Sequence, residues 1–204
     1  MKNNEALINA MITGGALQTP RIIDAFEKID RKYFVPASFD EYIYIDAPLP
    51  IGKDQTISQP STVAFMLELL QPQEGDSVLD IGSGSGWTTS LLCAIVAEKG
   101  SVKGMERVDE LVEQGRTNLA QFHFKGKCSI QKAGEKLGSP GETFDRILVS
   151  ASSSEIPEEL FAQLKPGGVL VIPVRNSIFR FKKISEEQLT KEEFPGFRFV
   201  PLIY

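Results

Sequence analysis

The chain has 204 residues, of which 42% are hydrophobic and 24% charged, and carries a net charge of −5, the composition of an ordinary globular protein large enough to bury a core of its own. No apolar run approaches the length of a membrane span, Met1 to Glu5 does not begin a signal peptide, and the lysines and arginines are scattered; these features argue against a membrane protein and against nucleic acid as a partner, and leave the cytoplasm as the default location. The single histidine, His123, and the two cysteines, Cys93 and Cys128, supply neither a metal centre nor a two-histidine acid–base pair, and the cysteines are expected as core thiols.

From the amino end, Leu7, Ile8, Met11 and Ile12 mark one face of a helix over residues 5–17, with Gly14-Gly15 fraying its end. Thr19-Pro20 reads as an N-cap followed by proline at the first helical position, with Ile22, Ile23, Phe26 and Ile29 on the buried stripe. Between Arg31 and Pro60 the periodicity disappears and prolines punctuate a long, partly apolar loop, of the kind that is usually functional in a compact domain. Val63, Met66, Leu67 and Leu70 then mark a further helix.

A short apolar strand, Val78 to Ile81, next runs through three glycines at alternate positions into a helix over residues 87–96. Such a turn lets the backbone approach a ligand and aims unsatisfied helix N–H groups at it. A dinucleotide fingerprint has the spacing Gly-x-Gly-x-x-Gly. Here the third glycine comes one residue early and Asp80 stands two before the first. The alternative to a ligand loop is a turn that uses glycine only for tight packing.

Beyond it, strands are predicted at residues 101–106, 128–132, 146–150 and 169–174, helices at 108–122 and 157–164, and final strands at 179–184 and 197–203. Alternating strands and helices imply an α/β doubly wound, mostly parallel sheet of seven strands, with an antiparallel edge formed by the last pair. A single domain is expected over residues 1–204, with N-terminal helices and a covering loop in 1–60 and the α/β core in 61–204. The ligand belongs at the carboxyl ends of the strands, where Gly82, Glu106 and the Ala133-Gly134-Glu135 turn converge; Glu106 lies 24 residues after Gly82, where an acidic ribose partner is expected.

The motif Asp80-x-Gly82-x-Gly84-x-Gly86 resembles the nucleotide loop of S-adenosylmethionine-dependent methyltransferases. Other stretches, Asp30 to Pro36, Pro48 to Gly52, Gln55-Thr56-Ile57-Ser58-Gln59-Pro60, Phe144 to Ile147, Gln163 to Gly168 and Phe199 to Leu202, resemble in order the protein-L-isoaspartate O-methyltransferases. That resemblance implies a Rossmann-like fold and methyl transfer from S-adenosylmethionine, leaving S-adenosylhomocysteine, to the α-carboxylate of L-isoaspartyl residues in damaged peptides or proteins. The family's role is repair. No metal is implied.

Carried over residue by residue, the resemblance puts Gly82, Ser83, Gly84 and Gly86 beside the methionine portion of the cofactor with Asp80 in support. It puts Glu106 on the ribose, with Arg107 adjacent, and Thr56 and Ile57 over the cofactor. Ser58 stands at the family's presumed catalytic position, and its hydroxyl is expected to orient the acceptor carboxylate; the alternative for Ser58 is a cap on the helix entered at Pro60. Where the family usually has Gly-Asp-Gly facing the adenine, this chain has Ala133-Gly134-Glu135. Gly134 and Glu135 are therefore expected at the adenine, with the acid missing or displaced by one position. That departure keeps open a different acceptor (another protein, RNA or a small molecule) or a catalytically silent cofactor-binding module.

Overall fold

The computed structural model describes residues 2–203. Among these residues five α-helices, α1 (Asn4–Thr13), α2 (Pro20–Lys28), α3 (Pro60–Leu70), α4 (Trp87–Val96) and α5 (Asp109–Ala120), accompany nine strands. Strands β1 (Leu49–Gly52) and β2 (Gln55–Ile57) form a separate antiparallel hairpin. The remaining seven, β3 (Ser77–Ile81), β4 (Ser101–Glu106), β5 (Lys127–Lys132), β6 (Phe144–Val149), β7 (Leu164–Val174), β8 (Ser177–Lys183) and β9 (Leu189–Pro195), form one sheet in the order β5-β4-β3-β6-β7-β8-β9. Pairing is parallel from β5 through β7 and antiparallel for β7–β8 and β8–β9.

Alternate residues along the central strands feed two cores. Val78 and Leu148 join the apolar cluster beneath the α-helices, whereas Leu79, Ile81, Ile147 and Val149 join a second cluster on the opposite face. That second face is covered by Leu137 and by the 3-10 helix Glu158–Gln163, which presents Leu160. The period-two alternation of buried side chains thus appears as two hydrophobic layers around one sheet.

Several local expectations change. Helix α1 ends at Thr13 with Gly14 as its C-cap, and Asn3 caps its start by accepting from the Ala6 N–H at 2.9 Å. Thr19 precedes α2 as expected, yet its hydroxyl donates to Glu68 of α3 at 2.6 Å instead of capping α2. The predicted helix at 157–164 is a 3-10 turn. The last strand is Leu189–Pro195, not residues 197–203. Six of the seven residues of β9 are exposed, so it has no buried face to announce it in the sequence. Phe197 stacks instead on Phe65 of α3, with ring centroids 5.3 Å apart. Cys93 and Cys128, expected as thiols, are joined as a disulfide between α4 and β5, a pairing that two cysteines 35 residues apart do not declare locally.

No helix among the described residues is long and apolar enough to cross a membrane. No cluster of three or more potential metal ligands occurs among them.

Candidate active site

Strand β3 lies where the winding of the sheet reverses, flanked by β4 on one side and β6 on the other. The crossover connections diverge there and leave a crevice beyond the strand ends, the usual ligand position in an open α/β sheet. The backbone seals its floor: Gly82 N donates to Met105 O at 2.8 Å, and Ser150 N donates to Ile81 O at 2.8 Å. Gly82, Gly84 and Gly86 all adopt positive φ, at 80°, 52° and 91°. Gly86 most requires its missing side chain, because a Cβ there would sit 3.0 Å from Ile130 Cδ1 and 3.1 Å from Gly115 O. The loop is therefore wedged between β5 and α5, and Asn118 of α5 pins it by donating to Ser85 O at 2.9 Å.

Two carboxylates converge on this loop. Glu106, 6% exposed at the end of β4, accepts from Gly84 N through one oxygen and from Val108 N through the other, each at 2.9 Å. Each carboxylate oxygen has a second lone pair, so the group can shape the loop and still accept from a ligand hydroxyl. Asp80 is wholly buried and accepts from the Thr89 hydroxyl at 2.6 Å through one oxygen, while its other oxygen has no partner. Burial pushes its carboxyl up to about 7; the Thr89 hydrogen bond opposes this and the Glu106 charge adds to it. The buried Ser83 hydroxyl also lacks a partner. Buried polar atoms are normally satisfied, so the two orphans beside a cradle of left-handed glycines fit a polar ligand such as the methionine portion of S-adenosylmethionine.

The other predicted residues divide between this crevice and its cover. Arg107 is exposed in the turn after β4. Gly134 and Glu135 follow β5, brought beside Glu106 by the bond from Ala133 N to Glu106 O at 2.8 Å. Both are exposed, and Glu135 lines a cavity of about 670 Å³ with Leu137, Pro140 and Gln163, where it makes no hydrogen bond with a described residue.

The β1–β2 hairpin lies directly on the glycine loop, so close that a Cβ on Gly84 would be 3.2 Å from Ile51 Cδ1. Ile57 is buried, Thr56 exposed and Ser58 half-buried. Thr56 and Ser58 open onto a cavity of about 290 Å³ whose far wall is Ser150, at the end of β6, and Arg198 to Val200. A larger cavity of about 550 Å³ shares Pro48, Gln59, Thr62 and Arg198 with it and is lined also by Phe65 and Phe197. Ser58 does not cap α3. Gln59 holds the N-cap position without a capping bond, and the first-turn N–H is met instead by Asp46, whose carboxylate accepts from Ser61 N at 2.9 Å and from the Gln59 side-chain amide at 3.2 Å.

Sequence reasoning passed over Asp46, Ser150, Arg198 and, above all, Arg31. Arg31 is wholly buried, and its two terminal nitrogens donate to four carbonyl oxygens: Ile43 at 2.8 Å, Ile45 at 3.1 Å, Ala47 at 2.9 Å and Ser58 at 3.1 Å. Burial lowers its pKa to about 10, against the raising effect of Asp46, so it remains cationic at neutral pH. The only local trace was a cation at the head of the run Arg31-Lys32-Tyr33-Phe34-Val35, beside a second cation, Lys32, that is exposed. The carbonyl partners of Arg31 carry no side-chain identity and left none.

Residues 2–204 match the family model for Protein-L-isoaspartate(D-aspartate) O-methyltransferase (PCMT). A Trichlorobacter lovleyi protein named Protein-L-isoaspartate O-methyltransferase is 42% identical over 202 residues, 97% of this chain and 91% of that protein. A Methanopyrus kandleri protein of the same name is 37% identical, with 98% and 90% covered. A Plasmodium falciparum chain described as a protein-L-isoaspartate O-methyltransferase, crystallised with S-adenosyl-L-homocysteine, superposes with a TM-score of 0.87 at 25% identity, covering 100% of this chain and 99% of that one.

Proposed function

This chain belongs to the protein-L-isoaspartate(D-aspartate) O-methyltransferase family, and we propose from that premise that it transfers a methyl group from S-adenosylmethionine to the free α-carboxylate of L-isoaspartyl residues. Repair of damaged protein in the cytoplasm is the role assigned to that reaction, with the whole chain acting as one domain. The observation that carries the reading is the contact of the two parts such a reaction needs: the hairpin leading to Ser58 rests on the glycine loop at Gly84 and Ile51.

When bound, S-adenosylmethionine supplies an activated methyl group on a sulfonium. Gly82 to Gly86, Asp80, Ser83 and Glu106 would hold it, with Thr56 and Ile57 above and Arg107, Gly134 and Glu135 at the adenosine end. An acceptor carboxylate has an ordinary pKa near ~4 and is ionised at neutral pH, so this site needs no general base. What remains for the protein is alignment and exclusion of water. Ser58, half-buried and bearing no cap, would donate its hydroxyl to the acceptor carboxylate. Arg198 contributes the one cationic side chain among the described residues in the wall of that cavity, which suits an anionic acceptor.

The test is transfer of labelled methyl to an isoaspartyl peptide and to its aspartyl isomer. Methylation of the isoaspartyl form alone is expected; labelling of neither peptide under conditions where a family enzyme works would refute the activity. Ser58→Ala should bind S-adenosylhomocysteine normally while losing most methylation, and a parallel loss of both would refute the orienting role.

A further inference from the structure

We infer that Arg31 is a positioning residue of the transfer reaction, holding Ser58 at a set height over the glycine loop. The inference rests on the role proposed above for Ser58. The guanidinium joins three segments that are far apart in sequence. Its two terminal nitrogens gather the carbonyls of Ile43, Ile45 and Ala47, the stretch that leads into the β1–β2 hairpin, together with the carbonyl of Ser58. Its carbon lies 5.4 Å from the ring centroid of Trp87, the residue that follows Gly86 and begins α4. The Trp87 ring is in turn tied back to Ile29 O by a 3.4 Å bond. One rigid planar group therefore touches both the segment that would face the acceptor and the helix that leaves the cofactor loop.

Packing alone does not explain an arginine here. Arg31 forms no direct ion pair with a described carboxylate, only a longer-range attraction to Asp46, and its Nε has no partner; burying such a cation costs several kcal/mol. Four charge-assisted bonds and the Trp87 ring offset that cost, but an apolar side chain would fill the space without incurring it. What no apolar side chain supplies is a planar fork that binds four carbonyls at once, and a lysine ammonium cannot match its geometry. Removing the fork frees Ser58 to shift, and a displacement of ~1 Å at a reacting centre lowers turnover by roughly 100-fold.

The experiment uses full-length protein, an isoaspartyl peptide and S-adenosylhomocysteine. Arg31→Lys is expected to keep the dissociation constant for S-adenosylhomocysteine within about threefold while kcat falls tenfold or more, the split expected of lost alignment. In a Ser58→Ala background the same substitution should lower kcat little further, because the two act as a unit. If Arg31→Lys fails to fold, Arg31→Met, which fills the space without the fork, provides the second variant, and intact S-adenosylhomocysteine binding with kcat down tenfold or more supports the role. Equal losses of cofactor binding and kcat, an undiminished Arg31→Lys effect in the Ser58→Ala background, or wild-type kcat in Arg31→Met overturns it. Wild-type turnover by Ser58→Ala would overturn the Ser58 role and this one with it; a slow Ser58→Ala whose loss simply adds to that of Arg31→Lys overturns Arg31 alone.

Discussion

Replacing Asp80 with asparagine should remove a pH dependence of folding that the buried carboxyl imposes. Burial raises this group from 3.8 to about 7, a difference of three pH units, or about 4 kcal/mol. In the unfolded chain the carboxyl loses its proton near pH 4, whereas in the folded protein it keeps the proton until about pH 7. Between those values the native state binds more protons than the unfolded state, so stability falls as pH rises, by at most ~1.4 kcal/mol per unit, and the fall is complete above pH 7. The asparagine side chain resembles the protonated acid in shape and stays neutral throughout. Urea unfolding of both proteins at pH 5, 6, 7 and 8, with matched m-values, isolates the residue because the other titrations cancel in the difference. The stability of Asp80→Asn relative to wild type should climb by roughly 2–3 kcal/mol from pH 5 to pH 8. A flat difference, or one that falls, would show that Asp80 is already ionised at low pH and would refute the desolvation argument.

Three other outcomes follow from the geometry. Glu106→Gln can accept only one of the two backbone N–H groups now bound at Gly84 and Val108, leaving the other facing an NH₂; at about 1–3 kcal/mol, calorimetry should find S-adenosylhomocysteine bound about tenfold or more weakly, and unchanged affinity would contradict the role given to this carboxylate. Gly86→Ala places a Cβ at φ 91° against Ile130 and Gly115, a strain of about 1–2 kcal/mol, so thermal unfolding should drop by roughly 2–8 °C; an unshifted midpoint counts against a wedged loop. Thiol titration of denatured, unreduced protein should find neither Cys93 nor Cys128 free, and serine at both positions should cost up to about 4 kcal/mol for a loop of this length; two free thiols would contradict the link.

The parts of the site that were legible in advance are those whose function dictates a residue type at a fixed local spacing. Gly82, Gly84 and Gly86 could be read because left-handed backbone and close packing exclude other side chains. Glu106 could be read because a strand end at the right distance must bring it to the loop, as the parallel pairing of β3 and β4 does. Ser58 was legible only through its neighbours in the Gln55 to Pro60 motif, and the competing capping role was decided by Asp46, twelve residues upstream. Arg31 was not legible as a clamp: its four acceptors are main-chain oxygens, which every sequence possesses.

By itself the sequence determined the alternation of strands and helices, the two-sided sheet that the alternation requires, and the glycine loop at its centre, because hydrophobic periodicity and backbone sterics act over a few residues. Tertiary structure alone decided that the hairpin lies on that loop, that Arg31 suspends Ser58 above it, that β9 and not residues 197–203 completes the sheet, and that Cys93 meets Cys128. Each of these depends on contacts between residues distant in the chain and, at the hairpin, the clamp and β9, on backbone atoms that carry no sequence signature.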